Sequence, residues 1–368
     1  MTRGRSGLDV VGVGALNLDC LVDLAQVGAR EGTDTAALRS WVAAACAGTR
    51  LDWGAEAFVD EPTVQAVLDR FGGAALAWQP GGSAFNTVHA LACMGLGLRL
   101  GYVDVAGRSP VPGPSGPALL DQLGVDRRFV HGDRRLGGVC VSLVEDGERT
   151  MLTHTGANAG LAGFAERSRG PLAAYLASAR VVHVTSFADE QTPPRLAALL
   201  GEVKARDPRV LVAVDPGHAW ATANAPGVER LLAAADLLLL TSRELAALAG
   251  RDGSDAELVR DLRARLGRQA TVLVKRADSV TVLARAAATL RFVHRPLPAH
   301  RVRDPTGAGD VFAAGVLAAL ARDATTVSDG IALGMRLARR KLRHVGAAGH
   351  PGFARLTRRC LGTTATAR

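Results

Sequence analysis

Short aliphatic runs alternate with alanine- and leucine-rich segments along most of the 368 residues of the chain. The aliphatic runs have the length and composition of buried strands and fall at residues 9–13, 98–104, 181–185, 210–214, 237–240 and 271–274. Apolar residues at helical spacing lie between them, at 86–94, 171–178, 194–205, 228–235 and 255–266, and two further helices start at about 308 and 328. This order predicts an α/β fold with a mostly parallel sheet covered on both faces. No repeat or low-complexity linker interrupts it, so we predict one main domain over residues 1–368.

The stretch "GGVCVSLVEDGERTMLTH" at 137–154 breaks this alternation. It consists of two extended runs joined around Asp146-Gly147, which is a hairpin signal. A hairpin inserted into a βαβ fold can project from the main sheet as a lid or an interface. We predict such a lid at about 136–155.

A second interruption lies at about 23–79, between the first strand and the next recognisable motif. It contains "TDTAALRSWVAAACAG" and "EPTVQAVLDRFGG", which we interpret as helices that begin at Thr or at Glu-Pro. The stretch is much longer than an ordinary connection. We predict an inserted helical cap that is either functional or an oligomer contact, and we expect a homodimer.

Composition limits the partners of the chain. No apolar run reaches the ~18–20 residues that a membrane span needs. The five cysteines are scattered without a C-x-x-C pair, so we predict a cytoplasmic protein with no membrane partner. The net charge of +9 raises nucleic-acid binding as an alternative. The one dense basic stretch, "RLARRKLRHVG" at 336–346, has helical spacing and is interpreted as a solvated helix face, so we predict no nucleic-acid partner.

The most informative stretch is "DPTGAGDVFAAG" at 304–315, in which a Gly-Ala-Gly turn and an acid directly precede an apolar helix. Gly307, Ala308 and Gly309 carry almost no side chain, so their N–H groups can converge at a helix N-terminus, which favours an anion. Asp310 would repel a phosphate, but it can act as a general base toward an attacking hydroxyl. The layout suits phosphoryl transfer. An aspartate that only caps the helix is the alternative that this stretch leaves open.

Two N-terminal stretches offer groups that can bind a sugar. In "PGGSAFNTVHALACMG" at 80–95, Gly81 and Gly82 allow close approach of the backbone, and Asn86 can both donate to and accept from hydroxyl groups. In "VGVGALNLD" at 11–19, Asn17 and Asp19 follow the first strand and point to the same side if the strand continues. Ligands of α/β sheets bind at the carboxyl ends of strands. The third glycine of a dinucleotide fingerprint is missing, so we discount that alternative.

In this order, the three stretches resemble the PfkB/ribokinase family of carbohydrate and nucleoside kinases. "GGSAFNTVHALACMG" resembles its N-terminal signature, "DPTGAGDVFAAG" closely resembles its C-terminal signature D-T-x-G-A-G-D-x-F, and the likeness extends from about residue 8 to 352. The resemblance implies a ribokinase-like three-layer α/β/α sandwich with a small β lid. It also implies that the γ-phosphoryl group of ATP is transferred, with Mg²⁺, to a hydroxymethyl group.

Carried over position by position, the resemblance implies roles for these residues. Asp310 would be the catalytic base, and the turn before it would be the anion hole. The sugar would be held by Asp19, Gly81, Gly82 and Asn86, with Asn17 in support. The family often carries a monovalent-cation site beside the anion hole. The matching positions are Asp304, Thr306 and the segment "VGAAGHPG" at 345–352, which makes K⁺ a candidate cofactor.

The chain departs from the family pattern on the nucleotide side. The N-x-x-E element, which organises Mg²⁺ and phosphates, is "TSRE" at 241–244 here. Glu244 is kept as an Mg²⁺ residue acting through water, whereas Thr241 replaces Asn and still offers a hydroxyl. The nucleotide segment, usually T-x-G-x-x-G, reads "KRADSV" at 275–280 and has lost both glycines; its expected nucleotide contacts are Lys275, Arg276 and Ala277. In "AVDPGHAW" at 213–220, Asp215 either lies near the phosphates or simply ends a strand.

We therefore predict an ATP-dependent kinase that phosphorylates a sugar, a sugar derivative or a nucleoside. Its partners would be that small-molecule acceptor and a nucleotide. The alternative is a catalytically weak family member that binds a metabolite as a sensor or scaffold, which the altered 275–280 segment and Thr241 motivate. The retained Asp310 and its Gly-Ala-Gly turn favour the enzyme, because a pure binding protein has no need of a base.

Overall fold

The computed structural model describes residues 7–113, 115–145, 148–187, 189–223, 225–267, 270–284, 289–322 and 326–361. The strands are β1 (Val10–Val13), β2 (Asn17–Asp23), β3 (Glu56–Phe58), β4 (Ala77–Gly81), β5 (Leu100–Arg108), β6 (Asp126–Leu136), β7 (Gly138–Glu145), β8 (Glu148–His154), β9 (Val181–Thr185), β10 (Leu211–Asp215), β11 (Leu237–Thr241), β12 (Thr271–Lys275), β13 (Ser279–Leu283) and β14 (Thr289–Val293). The helices are α1 (Leu24–Glu31), α2 (Thr35–Ala45), α3 (Glu61–Phe71), α4 (Ser83–Ala92), α5 (Gly116–Gln122), α6 (Leu161–Arg167), α7 (Arg169–Ala177), α8 (Thr192–Arg206), α9 (Gly217–Ala223), α10 (Pro226–Ala233), α11 (Ser242–Ala249), α12 (Asp255–Leu266), α13 (Ala308–Leu320), α14 (Val327–Lys341) and α15 (Phe353–Leu361).

The larger sheet has, within the described residues, nine strands in the order β14-β13-β12-β11-β10-β9-β1-β5-β6. Neighbouring strands from β12 to β6 run parallel, and β13 and β14 close one edge antiparallel. Strands such as β9 are buried at every residue because helices cover both faces. One face packs on α6–α12 and the other on α4, α5 and α13–α15. The predicted α/β/α class with a mostly parallel central sheet is confirmed.

A second, smaller sheet has the order β3-β8-β7-β2-β4 and is referred to as the lid sheet. Along each of its strands, successive side chains point to opposite faces of the sheet. One face, with Cys20, Val22, Val139 and Val141, packs in a single core with α1, α2 and α3. Asp19 lies on the opposite face, which is turned toward the larger sheet. The helices of the 23–79 insertion therefore cover the lid on the side away from that face.

The helices of the insertion begin where aspartate side chains accept backbone hydrogen bonds. Asp34 Oδ1 accepts from Ala37 N at 2.7 Å at the start of α2, and Asp60 Oδ1 accepts from Thr63 N at 2.9 Å at the start of α3. The helices themselves begin at Thr35 and at Glu61-Pro62, so the expected starts at Thr and at Glu-Pro are confirmed, with the preceding aspartates as N-caps. β7 and β8 pair antiparallel as the hairpin pattern predicts, whereas its turn at 146–147 lies outside the described residues.

Helices α13 and α14 pack against each other backbone to backbone. A Cβ atom added at Gly315 would lie 2.4 Å from Gly334 Cα, and one added at Gly334 would lie 2.5 Å from the carbonyl oxygen of Phe312. Neither position can accept a side chain without moving a helix. The contact holds the C-terminus of α14 close to the N-terminus of α13. None of the helices in the described ranges has the length and apolar character needed to cross a membrane.

Candidate active site

The two signature stretches meet at the N-terminus of α13. Gly307 has φ of 72°, a conformation that glycine adopts at little cost, and it turns the chain into the helix. Asp310 lies in the first helical turn, and its Oδ2 accepts a hydrogen bond from Asn86 Nδ2 at 2.9 Å. Thr87 Oγ1, on the same turn of α4, donates to the Asp310 carbonyl oxygen at 3.2 Å. A residue expected to bind the sugar thus contacts the expected base directly.

The environment of Asp310 changes its acidity. Burial raises the pKa of Asp310 from its usual value to about 6, and the nearby carboxylate of Asp215 adds to the rise, whereas the hydrogen bond from Asn86 and the charge of Lys275 oppose it. A base is most effective when its pKa lies near the working pH. Asp310 is therefore a stronger proton acceptor than an exposed aspartate, and it remains ionised at neutral pH.

On one side of Asp310 lies a pocket of about 480 Å³, including the part open to solvent. Its lining includes Asp19 and Gln79 of the lid sheet, Asn86 of α4, and Thr306 and Gly307 of the anion-hole turn. Lys341 at the end of α14 and His350 complete the side formed by the C-terminal part of the chain. Gly81 makes room for Asp19, since a Cβ atom at Gly81 would lie 2.1 Å from Asp19 Oδ2. The predicted sugar-binding stretches therefore converge on one cavity that the anion-hole turn also lines.

The polar groups of this cavity are partly desolvated. Burial raises the pKa of Asp19 to about 7; Arg149 opposes the rise, and Asp310 adds to it. Asn17 Oδ1 accepts from Asn158 Nδ2 at 2.8 Å. Gly138 leaves space for this pair, because a Cβ atom there would lie 2.2 Å from Asn17 Oδ1. Asn17 thus lies beside the neighbouring strand β7 and has an amide partner that we did not predict.

On the other side of the helix N-terminus, charged groups gather at the carboxyl ends of β10, β11 and β12. Lys275 Nζ donates to Asp215 Oδ2 at 2.7 Å. A Cβ atom at Gly309 would lie 3.7 Å from Lys275 Nζ, so the ammonium group is adjacent to the anion-hole turn. Burial raises the pKa of Glu244, Asp215 adds to the rise and Lys275 opposes it. These contacts favour the alternative in which Asp215 belongs to the site.

Thr241 and Glu244 form a reciprocal cap on α11. Thr241 N donates to Glu244 Oε2 at 2.7 Å, and Glu244 N donates to Thr241 Oγ1 at 3.2 Å. Asparagine and threonine both serve as helix N-caps. The replacement of Asn by Thr is therefore compatible with the local structure, and the cap holds the Glu244 carboxylate beside Lys275.

The 275–280 segment forms a tight turn between β12 and β13, closed by a hydrogen bond from Arg276 N to the Ser279 carbonyl oxygen at 2.8 Å. The guanidinium of Arg276 donates to both carboxylate oxygens of Asp255 at 2.6 and 2.5 Å. Arg276 is thus held at the N-terminus of α12, and a phosphate contact would require this pair to break. Ala277 is exposed on the turn.

Asp304 and Thr306 were expected to help bind a monovalent cation, but the geometry does not fit one. Lys341 Nζ donates to Asp304 Oδ2 at 2.9 Å, to the Asp304 carbonyl oxygen at 3.2 Å and to the His344 carbonyl oxygen at 3.3 Å. An ammonium group therefore occupies the space among the oxygens that K⁺ would need. The stretch containing Lys341 was interpreted as a solvated helix face; Lys341 is in fact buried, at 4% exposure.

Other buried groups of the site carried no clear sequence signal. Asp104 lies inside a strand and accepts from Leu16 N at 2.7 Å, which fixes the chain between β1 and β2. His89, Cys93 and His350 have ligating atoms within 4.8 Å of one another, although they share no familiar metal-binding spacing. Burial lowers the pKa of His89 to about 4 and of His350 to about 3, so both imidazoles are neutral at pH 7. They form an uncharged wall of the acceptor pocket.

Solved structures share this fold. The adenosine kinase of Schistosoma mansoni in complex with 2-fluoroadenosine has a TM-score of 0.73 and 16% identity, over 92% of this chain and 97% of that one. The probable sugar kinase of Rhizobium etli CFN 42 has a TM-score of 0.72 and 18% identity, over 95% and 98% of the two chains. The adenosine kinase of Sinorhizobium meliloti has a TM-score of 0.70 and 18% identity, over 95% and 99%.

The fold is therefore that of the ribokinase-like sugar and nucleoside kinases. The family model for pfkB family carbohydrate kinases matches residues 73–351, which is most of the chain. The protein belongs to this family of carbohydrate kinases, as its signature stretches indicated, which makes it a phosphotransferase by family. A search of curated proteins found no significant match to the chain.

Proposed function

We propose that the protein transfers the γ-phosphoryl group of ATP to a hydroxymethyl group, with Asp310 as the base. One observation carries the proposal: the partly buried carboxylate of Asp310 lies at a helix N-terminus, hydrogen-bonded to Asn86 of the acceptor pocket on one side and close to Lys275 and Asp215 on the other. Phosphoryl transfer requires a proton acceptor and an anion-stabilising group close together and needs little covalent work from the protein. A helix cap alone would not require the carboxylate to lie between these two groups.

In the proposed reaction, Asp310 takes the proton of the acceptor hydroxyl as its oxygen attacks the γ-phosphorus. The bond from the γ-phosphorus to the bridging oxygen breaks, and the electron pair leaves with ADP. The backbone N–H groups of Gly307 and Gly309, together with the Lys275 ammonium, stabilise the charge on the phosphoryl oxygens. Ala308 N would join them by releasing its long 3.3 Å hydrogen bond to the Pro305 carbonyl oxygen. Asn86 holds the Asp310 carboxylate in place through its 2.9 Å hydrogen bond.

The carboxylates beside Lys275 fit Mg²⁺, which prefers oxygen ligands and usually keeps several waters. Glu244 and Asp215 would hold it through water, since one Glu244 oxygen already accepts from Thr241 N and one Asp215 oxygen from Lys275. When bound, Mg²⁺ would neutralise phosphate charge. The nucleotide would lie along the turn at 276–278, where the loss of both family glycines favours loose discrimination among purine nucleotides.

The acceptor pocket suits a sugar, a sugar derivative or a nucleoside. Asp19 and Asn86 line this pocket and offer donors and acceptors that match ribose or hexose hydroxyls. Asn17 supports them from outside this lining, and the space at Gly81 and Gly82 is taken by the Asp19 carboxylate and by the Ala15 carbonyl oxygen. The neutral imidazoles of His89 and His350 add an uncharged wall. In this proposal the chain works as one kinase domain, and the insertion reaches the pocket only through the ends of its strands, as at Gln79.

The test starts with purified protein and a panel of sugars and nucleosides screened for ADP release. On the acceptor found, Asp310→Asn should lower kcat by about 10²–10⁴-fold, because the proton acceptor is lost, with substrate affinities nearly unchanged. Asp329→Asn is the matched control, since it alters an exposed carboxylate in the first turn of the neighbouring α14. Its kcat should equal that of the wild type.

Two results would contradict this mechanism. Asp310→Asn could retain more than about half of the wild-type kcat. Alternatively, the wild type could bind nucleotide and acceptor without turnover, which would favour the metabolite sensor instead.

A further inference from the structure

Lys341 lies at the end of α14 and is one of the most deeply buried charged residues near the site. Its side chain is 5% exposed, and that of Asp304 is 7% exposed. An ammonium group has three donors and no acceptor. The three oxygens within 2.9–3.3 Å of Nζ, two from Asp304 and one from His344, match these donors in number. The charge is therefore fully paired inside the protein.

The same Asp304 carboxylate connects three segments around the anion hole. Its Oδ1 accepts from Thr306 N at 2.9 Å, in the loop that leads into the Gly307 turn. Its Oδ2 accepts from Gly346 N at 2.9 Å in addition to Lys341. Burial would raise the pKa of Asp304, but Lys341 and these N–H groups hold it below its usual value. Lys341 thus acts through Asp304 on the position of the turn.

A carboxylate and backbone carbonyl groups are the oxygen ligands that hard cations take, and backbone carbonyls in particular replace the water shell of K⁺. In this protein such oxygens are already occupied by Nζ. Arg149 adds a second positive charge, with its Nη1 3.6 Å from Asp304 Oδ1. A free cation placed among the same oxygens would be repelled by both groups at short range.

We infer that Lys341 is a built-in replacement for a monovalent cation, and that the protein needs no K⁺. The ammonium supplies a fixed positive charge beneath the anion-hole turn and positions that turn through Asp304. The effect that we expect on the reaction rate rests on the proposed kinase function. Its structural part does not depend on catalysis, because a cation that binds the folded chain also raises its stability.

The first experiment measures the melting temperature (Tm) of the wild type in about 100 mM KCl, with choline chloride at equal ionic strength as reference. The two Tm values should agree within about 1 °C, since a cation that does not bind the folded state does not stabilise it. In the kinase assay, kcat should change less than about twofold between the two salts. K⁺ activation of about fivefold or more, or a clear K⁺-dependent rise in Tm, would overturn the inference.

The second experiment removes the ammonium. Lys341→Ala should melt at least about 5 °C below the wild type in choline, because Asp304 is left buried without its partner. K⁺ or NH₄⁺ should restore a large part of this Tm and of kcat, since the vacated oxygens can then bind a free cation. Arg343→Ala is the matched control, because Arg343 is an exposed basic residue two positions away; it should show neither loss nor rescue.

The outcomes separate the two proposals. A folded Lys341→Ala protein whose Tm is unaffected by K⁺ and NH₄⁺ would contradict the inference. If Lys341→Ala does not fold, the wild-type comparison in KCl and choline still decides it. If no acceptor is phosphorylated at all, the proposed function fails, yet the Tm measurements still test whether Lys341 replaces the cation.

Discussion

Two lysine–aspartate pairs flank the N-terminus of α13, and they differ in how far their side chains are shielded from solvent. Lys275 and Asp215 are 2.7 Å apart, with side chains 13% and 12% exposed; Lys341 and Asp304 are 2.9 Å apart, with 5% and 7% exposed. Burial lowers the pKa of Lys341. Burial also acts on Lys275, but three carboxylates outweigh it and raise its pKa.

The difference indicates that the two lysine–aspartate pairs have different roles. Around Lys275, the carboxylates of Asp215, Glu244 and Asp310 outnumber the ammonium, so this group can accept a further cation such as Mg²⁺ and rearrange around phosphates. Around Lys341, every donor already has an oxygen partner, so this group can only hold its position. Under the proposed function, the Lys275 pair would take part in the reaction, whereas the Lys341 pair is structural, although the two distances are similar.

The largest effect that separates the pairs should come from Lys275→Met. We expect kcat/KM to fall by about 10²–10³-fold, because a cation adjacent to the transferred phosphoryl group is lost. The drop in Tm should be smaller than for Lys341→Ala, since Lys275 is the more exposed lysine. Steady-state kinetics and thermal melts of both variants measure the contrast.

Lys204→Met provides the control for this prediction, because Lys204 pairs with Asp236 away from the site. It should lower Tm while leaving kcat/KM at the wild-type value. The comparison fails if Lys275→Met and Lys341→Ala lose activity and stability in the same proportion.

A smaller effect should appear in the pH profile. Asp310 must be ionised to accept a proton, and its pKa is raised to about 6, so kcat at saturating acceptor should fall about tenfold per unit below that pH. The profile of kcat/KM also reports Asp19, whose pKa is raised to about 7, so kcat is the quantity to measure. Lys275 opposes the rise in this pKa. In Lys275→Met the acid limb should therefore move to higher pH, as measured from the residual activity. An acid limb that stays in place would show that Lys275 does not act on the base.

The smallest effect should follow Thr241→Asn, which introduces the usual family residue next to Lys275. Because Asn is also a good helix N-cap, Tm and kcat/KM should stay close to the wild type, within about twofold for the rate. Thr241→Ala should instead lose about 1 kcal/mol of stability through the missing cap. A gain in kcat/KM of more than about tenfold in Thr241→Asn would indicate that threonine weakens the Mg²⁺ site, and would favour the sensor.

The sequence predicted the parts of the site that are contiguous. Gly307–Asp310 is one uninterrupted stretch, and its helix start and glycine turn are local features that residue types reveal. Lys341 is different. It follows Leu337 by four positions on the buried stripe of α14, so helical spacing indicates that it turns inward, but spacing cannot show that its partner is Asp304, 37 positions away. Arg336 and Arg343 in that run are exposed, so the interpretation as a solvated face is right for these two residues and wrong for Lys341.

The fold shows the same limit. The strands buried on both faces were identified from their aliphatic runs, because burial imposes continuous apolar composition. The edge strand β14 escaped prediction, since its residues are almost all exposed and carry no such pattern. The short helix α15, at Phe353–Leu361, was also not predicted, although its apolar residues Phe353, Leu356 and Cys360 recur at helical spacing and pack on the core.

The separate core of the lid determines how the molecule can open. The lid sheet and α1–α3 share buried side chains, so they can move only as a rigid body. The described chain passes between lid and larger sheet at four places, and these meet in two pairs: a Cβ atom at Gly82 would lie 1.9 Å from the Ala15 carbonyl oxygen, and one at Gly156 would lie 2.4 Å from that of Gly137. Gly82 and Gly156 have φ of 99° and 51°. The two glycine crossings therefore define the line along which the lid joins the larger sheet, and any movement of the lid as a unit has to turn about that line.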